Sequence, residues 1–219
     1  LFLILFSSTV LAVNNGEALA FQGNYEDTIK AYDKTIENNS QDSDAWYDKG
    51  VALAFQGNFE EAIKAFDKVT EIDPQLASAW YNKGVCLASL GNYEEAIKAY
   101  DKAIEINSQY SKAWVNKGAC LASLGNYEEA IKAFDKAIEI DPRDPDTWYN
   151  KGSTLAFSQG NYEEAIKAYD KAIEINSGYS YTWYNKGLCL VYLGNYKDAI
   201  KAFDKAIEID PRDPDSWYN

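Results

Sequence analysis

Tryptophan stands at positions 46, 80, 114, 148, 183 and 217, at separations of 34, 34, 34, 35 and 34 residues. A fixed period of this length marks a repeat architecture, in which each unit buries its apolar face only against its neighbours. Aligned on Trp, one unit reads WYNKGVCLASLGNYEEAIKAYDKAIEINS and the next WVNKGACLASLGNYEEAIKAFDKAIEIDP. A further unit lies upstream, with Ala12 where Trp would stand. The frame is therefore six units, 12–45, 46–79, 80–113, 114–147, 148–182 and 183–216, with 217–219 opening a seventh. The longer fifth unit carries its extra residue near Ser158, read as part of the turn between two helices.

Each unit reads as two helices. In the first, Trp80, Gly84 and Leu87 recur at i, i+4 and i+7, one helical face. Gly91 suits a position just past a helix end. Asn92 then suits an N-cap, with Glu95 as its capping-box partner. In the second helix Tyr93, Ala96, Ile97, Tyr100 and Ile104 form an apolar stripe, and Lys98, Asp101, Lys102 and Glu105 face water. Glu94 and Lys98 stand at the i,i+4 spacing of an ion pair. A glycine four residues after each Trp (Gly50, Gly84, Gly118, Gly152, Gly187) costs about 1 kcal/mol in a helix relative to Ala. Its recurrence predicts a close approach by a second helix, for which alanines such as Ala96 and Ala103 are the expected partners.

Composition removes several classes of function. The chain has no His, the commonest general base, and its net charge of −13 opposes binding to nucleic acid. Cys86, Cys120 and Cys189 all lie six residues after a Trp. That register suggests a small buried site holding inert thiols, not a metal or redox centre. No paired acid–base constellation stands out, so neither catalysis nor a cofactor is expected. The absence of Met leads to the expectation that the natural chain begins further upstream, and the opened seventh unit that it continues. Residues 1–11 are strongly apolar. They read as the core of an export signal with Val10-Leu11-Ala12 as cleavage site, as the end of a membrane anchor, or as a packed helix. The first two place the protein outside the cytoplasm or anchored at a membrane; the third leaves it cytoplasmic.

The pattern Trp114, Gly118, Leu121, Gly125-Asn126-Tyr127, Ala130, Phe134, Ala137 and Pro142 closely resembles the tetratricopeptide repeat, over residues 12–219. Two departures stand out. The Leu common three residues after Trp is Lys here (Lys49, Lys83, Lys117, Lys151, Lys186). Pro closes alternate units (Pro74, Pro142, Pro211), with Ser40, Ser108 and Ser177 in the others. The mid-helix aromatic alternates in step, from Tyr32 and Phe66 to Tyr169 and Phe203, which reads as duplication of a two-repeat block.

The resemblance implies an all-α fold, a right-handed superhelical solenoid of antiparallel helix pairs whose first helices line a concave groove. It implies a protein–protein interaction scaffold with a peptide or protein partner in that groove. The positions it assigns to the groove are Tyr47, Val51 and Phe55; Tyr81 and Val85; Val115; Tyr149, Ser153 and Phe157; Tyr184, Leu188 and Tyr192. Small residues such as Ser89 and Ser123 leave room between them. Replacing Tyr81, Tyr149 and Tyr184 by Ala is expected to weaken capture and leave helicity nearly intact. The clamp by which some family members hold a terminal carboxylate is absent: its Lys and Asn positions hold Tyr or Val, and Val, Ala, Ser or Leu. Asn82, Asn116 and Lys112 supply only fragments of it. Two alternatives remain: a recruiting arm of a larger enzyme or sensor, and end-to-end self-association of arrays.

Overall fold

The computed structural model describes residues 25–211, leaving aside the Gln159 side chain. The expectations for residues 1–11, for the first helix of the first unit and for 217–219 lie outside the described residues. Among the described residues every regular element is a helix: α1 (Tyr25–Asn38), α2 (Ser43–Phe55), α3 (Phe59–Ile72), α4 (Ala77–Ser89), α5 (Tyr93–Ile106), α6 (Ser111–Ser123), α7 (Tyr127–Ile140), α8 (Pro145–Gln159), α9 (Tyr162–Ile175), α10 (Ser180–Tyr192) and α11 (Tyr196–Ile209). They form two compact units, residues 25–120 and 121–211, with the division inside α6. Even-numbered helices carry the Trp and are the first of each pair; odd-numbered helices are the second.

Within each unit a first helix packs on the second helix of its own pair, as α4 does on α5 and α10 on α11. It also packs on the second helix of the preceding pair, as α2 does on α1 and α10 on α9. Short connections make the partners antiparallel. The turn inside each pair is a Schellman motif: Gly91 has φ +79°, its N–H donates to the Ala88 carbonyl (3.0 Å), and the Asn92 N–H donates to the Leu87 carbonyl (2.9 Å). Gly57, Gly125 and Gly194 repeat this geometry. Asn92 does precede the helix, but its side chain makes no cap hydrogen bond. Its ψ of 64° departs from the extended backbone from which an N-cap side chain reaches back. Its backbone serves instead, the carbonyl accepting from Ala96 (3.0 Å). The extra residue of the fifth unit lengthens α8 to 15 residues, against 13 in the other first helices, so it extends the helix and not the turn.

The connection between pairs is built on side-chain oxygens and backbone carbonyls as acceptors. Asn107 accepts from the N–H of Gln109 (3.1 Å), and Asp141 from that of Arg143 (3.1 Å). Each described Trp indole N–H then donates to the carbonyl six residues back: Trp80 to Pro74 (3.1 Å), Trp114 to Ser108 (3.3 Å), Trp148 to Pro142 (3.0 Å). A carbonyl is the same on Pro or Ser, so the alternation of the two leaves this anchor intact.

The Lys that replaces Leu has a partner of its own. Lys83 pairs with Asp67 of the preceding second helix at 2.5 Å while lying 5.3 Å from the Trp80 ring centroid. Lys117–Asp101 (2.6 Å) and Lys151–Asp135 (2.5 Å) repeat the arrangement over Trp114 and Trp148, as do Lys49–Asp33 and Lys186–Asp170 over Trp46 and Trp183. Asp101 thus faces a neighbouring pair as well as water. Lys98 is closer to expectation, on the outer face, but its partner is Glu95 at i,i+3 and not Glu94.

The recurring glycine does mark a close approach, chiefly by an aromatic ring, with the expected alanine contributing at Gly152, where the Ala165 carbonyl would lie 3.2 Å from a Cβ. A Cβ on Gly84 would lie 2.6 Å from Tyr100 Cε1, and one on Gly187 2.5 Å from Phe203 Cε1. Gly50 meets Phe66 and Gly152 meets Tyr169 in the same way, each at 2.9 Å. Alanines such as Ala96 and Ala103 flank the ring in the core instead. Gly84→Ala should therefore destabilise, by roughly 1–3 kcal/mol from overpacking, although Ala is the better helix former. Urea unfolding followed by circular dichroism checks the sign.

Candidate functional site

Along each first helix the residues at −2, +2, +5 and +9 from Trp share one face, at i, i+4, i+7 and i+11. The residue after Trp lies beside them. The twelve positions expected in the groove separate into two sets there.

The residues after Trp are mostly structural. Tyr81 and Tyr149 are 4% and 9% exposed. Asn116 donates to the Tyr81 hydroxyl (3.1 Å) and Asn185 to that of Tyr149 (3.2 Å), each from the following pair. Tyr110 covers Tyr81 at 4.9 Å between centroids, and Tyr181 meets Tyr149 edge-on at 4.7 Å. Tyr47 is half-buried, with Asn82 donating to it (2.9 Å), and Tyr184 is half-buried against Phe203 (5.7 Å). Val115 and Ser153 are buried; Val51, Val85 and Leu188 are half-buried. Replacing Tyr81, Tyr149 and Tyr184 by Ala, expected to leave helicity nearly intact, therefore removes core packing at the first two. Their rings fill the core, and large-to-small truncation there costs about 3–5 kcal/mol.

The residues nine after Trp are open. Phe55, Phe157 and Tyr192 are 51%, 61% and 68% exposed. Phe55 stacks on Tyr25 (6.0 Å, 11°) and Tyr192 on Tyr162 (4.7 Å, 6°), so one ring face is held and the rest is available. Ser89 and Ser123 take the same register on α4 and α6, also exposed. What sequence reasoning missed is the Asn–Tyr tie, although Asn recurs two residues after Trp at 82, 116, 150 and 185. A recurring amide on a helix face was the available signal for it.

Two carboxylates belong to this face. Burial raises the Asp48 carboxyl above its ordinary range; a hydrogen bond from Tyr32 opposes this, and Asp44 and Asp42 reinforce it. Burial likewise raises Asp146, followed by repulsion from Asp144, with the Tyr181 hydroxyl (3.5 Å) acting the other way.

The thiols and the mid-helix tyrosines lie in the core. Cys86 packs with Phe66, Cys120 with Tyr100, and Cys189 with Tyr169, each on the second helix of the preceding pair. Burial pushes the Cys86 and Cys120 thiols up to about 12 and Cys189 to about 11. Tyr169 donates to Ser153 (3.1 Å), whereas the buried Tyr100 hydroxyl is unpartnered: Val85 holds the register of Ser153, and the Asn116 amide is turned to Tyr81. Among the described residues, no three His, Cys, Asp or Glu side chains gather where a metal could be held, and no helix is long and apolar enough to cross a membrane.

Tetratricopeptide repeat models match residues 77–110, 111–144 and 180–213, and related repeat models match 13–77, 133–167 and 155–192. The chain belongs to the tetratricopeptide repeat family, whose members are protein–protein interaction scaffolds and typically not enzymes. Among solved structures it is similar to YrrB, described as a tetratricopeptide repeat protein with an unusual peptide-binding site, at 26% identity and a TM-score of 0.71, over 86% of this chain and 97% of that one. It is similar to MamA at 26% identity and a TM-score of 0.72, over 78% and 92%. PilF of Pseudomonas aeruginosa matches at 18% identity and a TM-score of 0.77, over 92% and 91%, a likeness of fold alone. No curated protein matches the chain in sequence.

Two measurements follow. At pH 8 the three thiols, nearly all protonated, should resist a disulfide reagent in the native protein and react together in denaturant; a fast native thiol would contradict their placement. Tyr100→Phe should leave stability unchanged or raise it by up to about 1 kcal/mol, while Tyr169→Phe lowers it by about 1 kcal/mol. Denaturant midpoints of the two variants decide between opposite and equal effects.

Proposed function

We propose that the array holds a peptide or partner segment against the open face of its first helices. The observation that carries this reading is the exposure of Phe55, Phe157 and Tyr192 in a molecule whose other first-helix aromatics are committed to the core. Rigid aromatic rings with a free face are common anchors of binding. Phe55 and Tyr192 are held on one face by Tyr25 and Tyr162, so ordering them on binding costs little conformational entropy. The exposed serines at the same register on α4 and α6 leave space for a ligand's larger side chains. The peptide-binding site ascribed to YrrB supports the same reading for this chain.

The groove expected from sequence is thus redrawn. In residues 25–120 Phe55 supplies contact area, Val51 and Val85 a half-buried floor and Tyr81 the support beneath; in residues 121–211 Phe157 and Tyr192, Leu188 and Tyr149 take those parts. Peptides selected from a displayed random library on the full chain should bind it in fluorescence polarisation. Phe157→Ala with Tyr192→Ala should weaken them roughly tenfold or more, about 1.4 kcal/mol, with unchanged circular dichroism. Equal affinity for the double variant would overturn the proposal.

A further inference from the structure

The open face carries charge in an uneven way. On α2 the stripe runs Asp44, Asp48, Val51, Phe55; on α8 it runs Asp146, Asn150, Ser153, Phe157. Both begin with a carboxylate and end with an exposed phenylalanine, about 16 Å further along at 1.5 Å per residue. Asp48 and Asp146 are half-buried. Among the described residues no Lys or Arg lies within ion-pair distance of either. The lysines of the same two helices are turned away, Lys49 to Asp33 and Lys151 to Asp135 on the preceding second helices. Second-helix lysines such as Lys68, Lys102, Lys136 and Lys171 pair with glutamates along their own helices. The lysines of these ion pairs are thus turned away from the two carboxylates, which lose hydration with no counter-ion within ion-pair distance; Lys112, at the −2 register of α6, is the cation on the face itself.

A cation brought to such a carboxylate gains more than one brought to a fully solvated one, because the local dielectric is lower. The net charge of −13 adds a long-range attraction of the same sign. We infer that the segment held on this face is basic: a Lys or Arg side chain meets Asp48 or Asp146, and an apolar side chain meets Phe55 or Phe157. The inference rests on the docking reading above and specifies its ligand. From Asp146 to Phe157 an extended segment covers about 16 Å in roughly five residues, and from Asp48 to Phe55 it covers about 10 Å in roughly three, which sets the spacing between the two anchors on each helix.

Three labelled peptides test it, built on the repeating units Leu-Ser-Arg, Leu-Ser-Gln and Leu-Ser-Glu and titrated with the full chain at low salt. The Arg peptide should bind roughly tenfold or more tighter than the Glu peptide, with Gln between, and the difference should shrink as salt rises. Asp48→Asn with Asp146→Asn should bring the Arg peptide to the level of the Gln peptide. Glu94→Gln with Glu128→Gln removes the same charge from exposed positions on second helices and should leave the preference intact. Gln or Glu peptides binding as well as Arg would overturn the inference and leave docking standing. Loss of preference in the Glu94 and Glu128 variant would overturn it too, as bulk attraction. If none of the three peptides binds, the docking reading itself falls, and the inference with it.

Discussion

The contact between a second-helix aromatic ring and a first-helix glycine sets the distance between paired helices, and the other contacts depend on it. At Gly84 the Tyr100 ring lies where a Cβ would be, so the two helices approach to within the thickness of a ring. That approach brings Ala96, Ala99 and Ala103 into the core with no exposure above 3%. Larger side chains there would hold the helices apart. On its far side the ring meets the next first helix through Cys120, which is why small, soft residues recur six after Trp. The packing is local, and each pair needs only its neighbours to complete it.

A second constraint explains why the chain tolerates its own variation. The joints between pairs use backbone carbonyls and short side-chain oxygens. Asp and Asn accept equally well from the N–H two residues on, and Pro and Ser offer the same carbonyl to the Trp indole. The alternation of linker types therefore changes composition without changing geometry. Replacement of Leu by Lys is a different case, because the aspartate on the preceding second helix changes the chemistry of the site. An aliphatic contact becomes an ion pair roofed over the Trp ring. Part-exposed pairs of this kind add little stability, roughly 0–1 kcal/mol, but they fix a register between neighbours.

Much of the fold is legible in the sequence because recurrence reports what a position requires. The period, the helix pairs, the glycine turns and the buried thiols all follow from it. Recurrence does not report which neighbour imposes the requirement. Glycine at 84 reads as close approach, and nothing in the spacing says whether Ala96 or Tyr100 makes it. The candidate site shows the same limit. Tyr81 and Phe55 are both assigned to the groove by register, one and nine residues after a Trp, and only the neighbouring elements, such as Asn116 and Tyr110 over Tyr81, decide that one is covered and the other open. Hydrogen bonds across thirty-five residues lie outside any helical wheel. The unpartnered Tyr100 hydroxyl is hidden similarly, since its lack of a partner depends on Val85 standing where Ser153 stands in another unit.

The variation that remains is informative for function. Trp, the following Lys and the Gly after it are the same in every described pair, and each is bound to a neighbour. Positions −2, +5 and +9 from Trp differ most in chemical character, from Asp to Ser, Lys and Tyr, from Val to Ala, Ser and Leu, and from Phe to Ser and Tyr, while a buried position such as +6 varies only among Ala, Cys and Thr. A position that holds the array together must satisfy two helices and has few solutions. A position at −2 or +9 answers mostly to solvent or to a ligand. That aromatics recur at +9, where water would favour polar residues, needs a cause outside the array. The docking proposed for this face would supply one: the rings Phe55, Phe157 and Tyr192 are costly to leave in water and would gain from being covered.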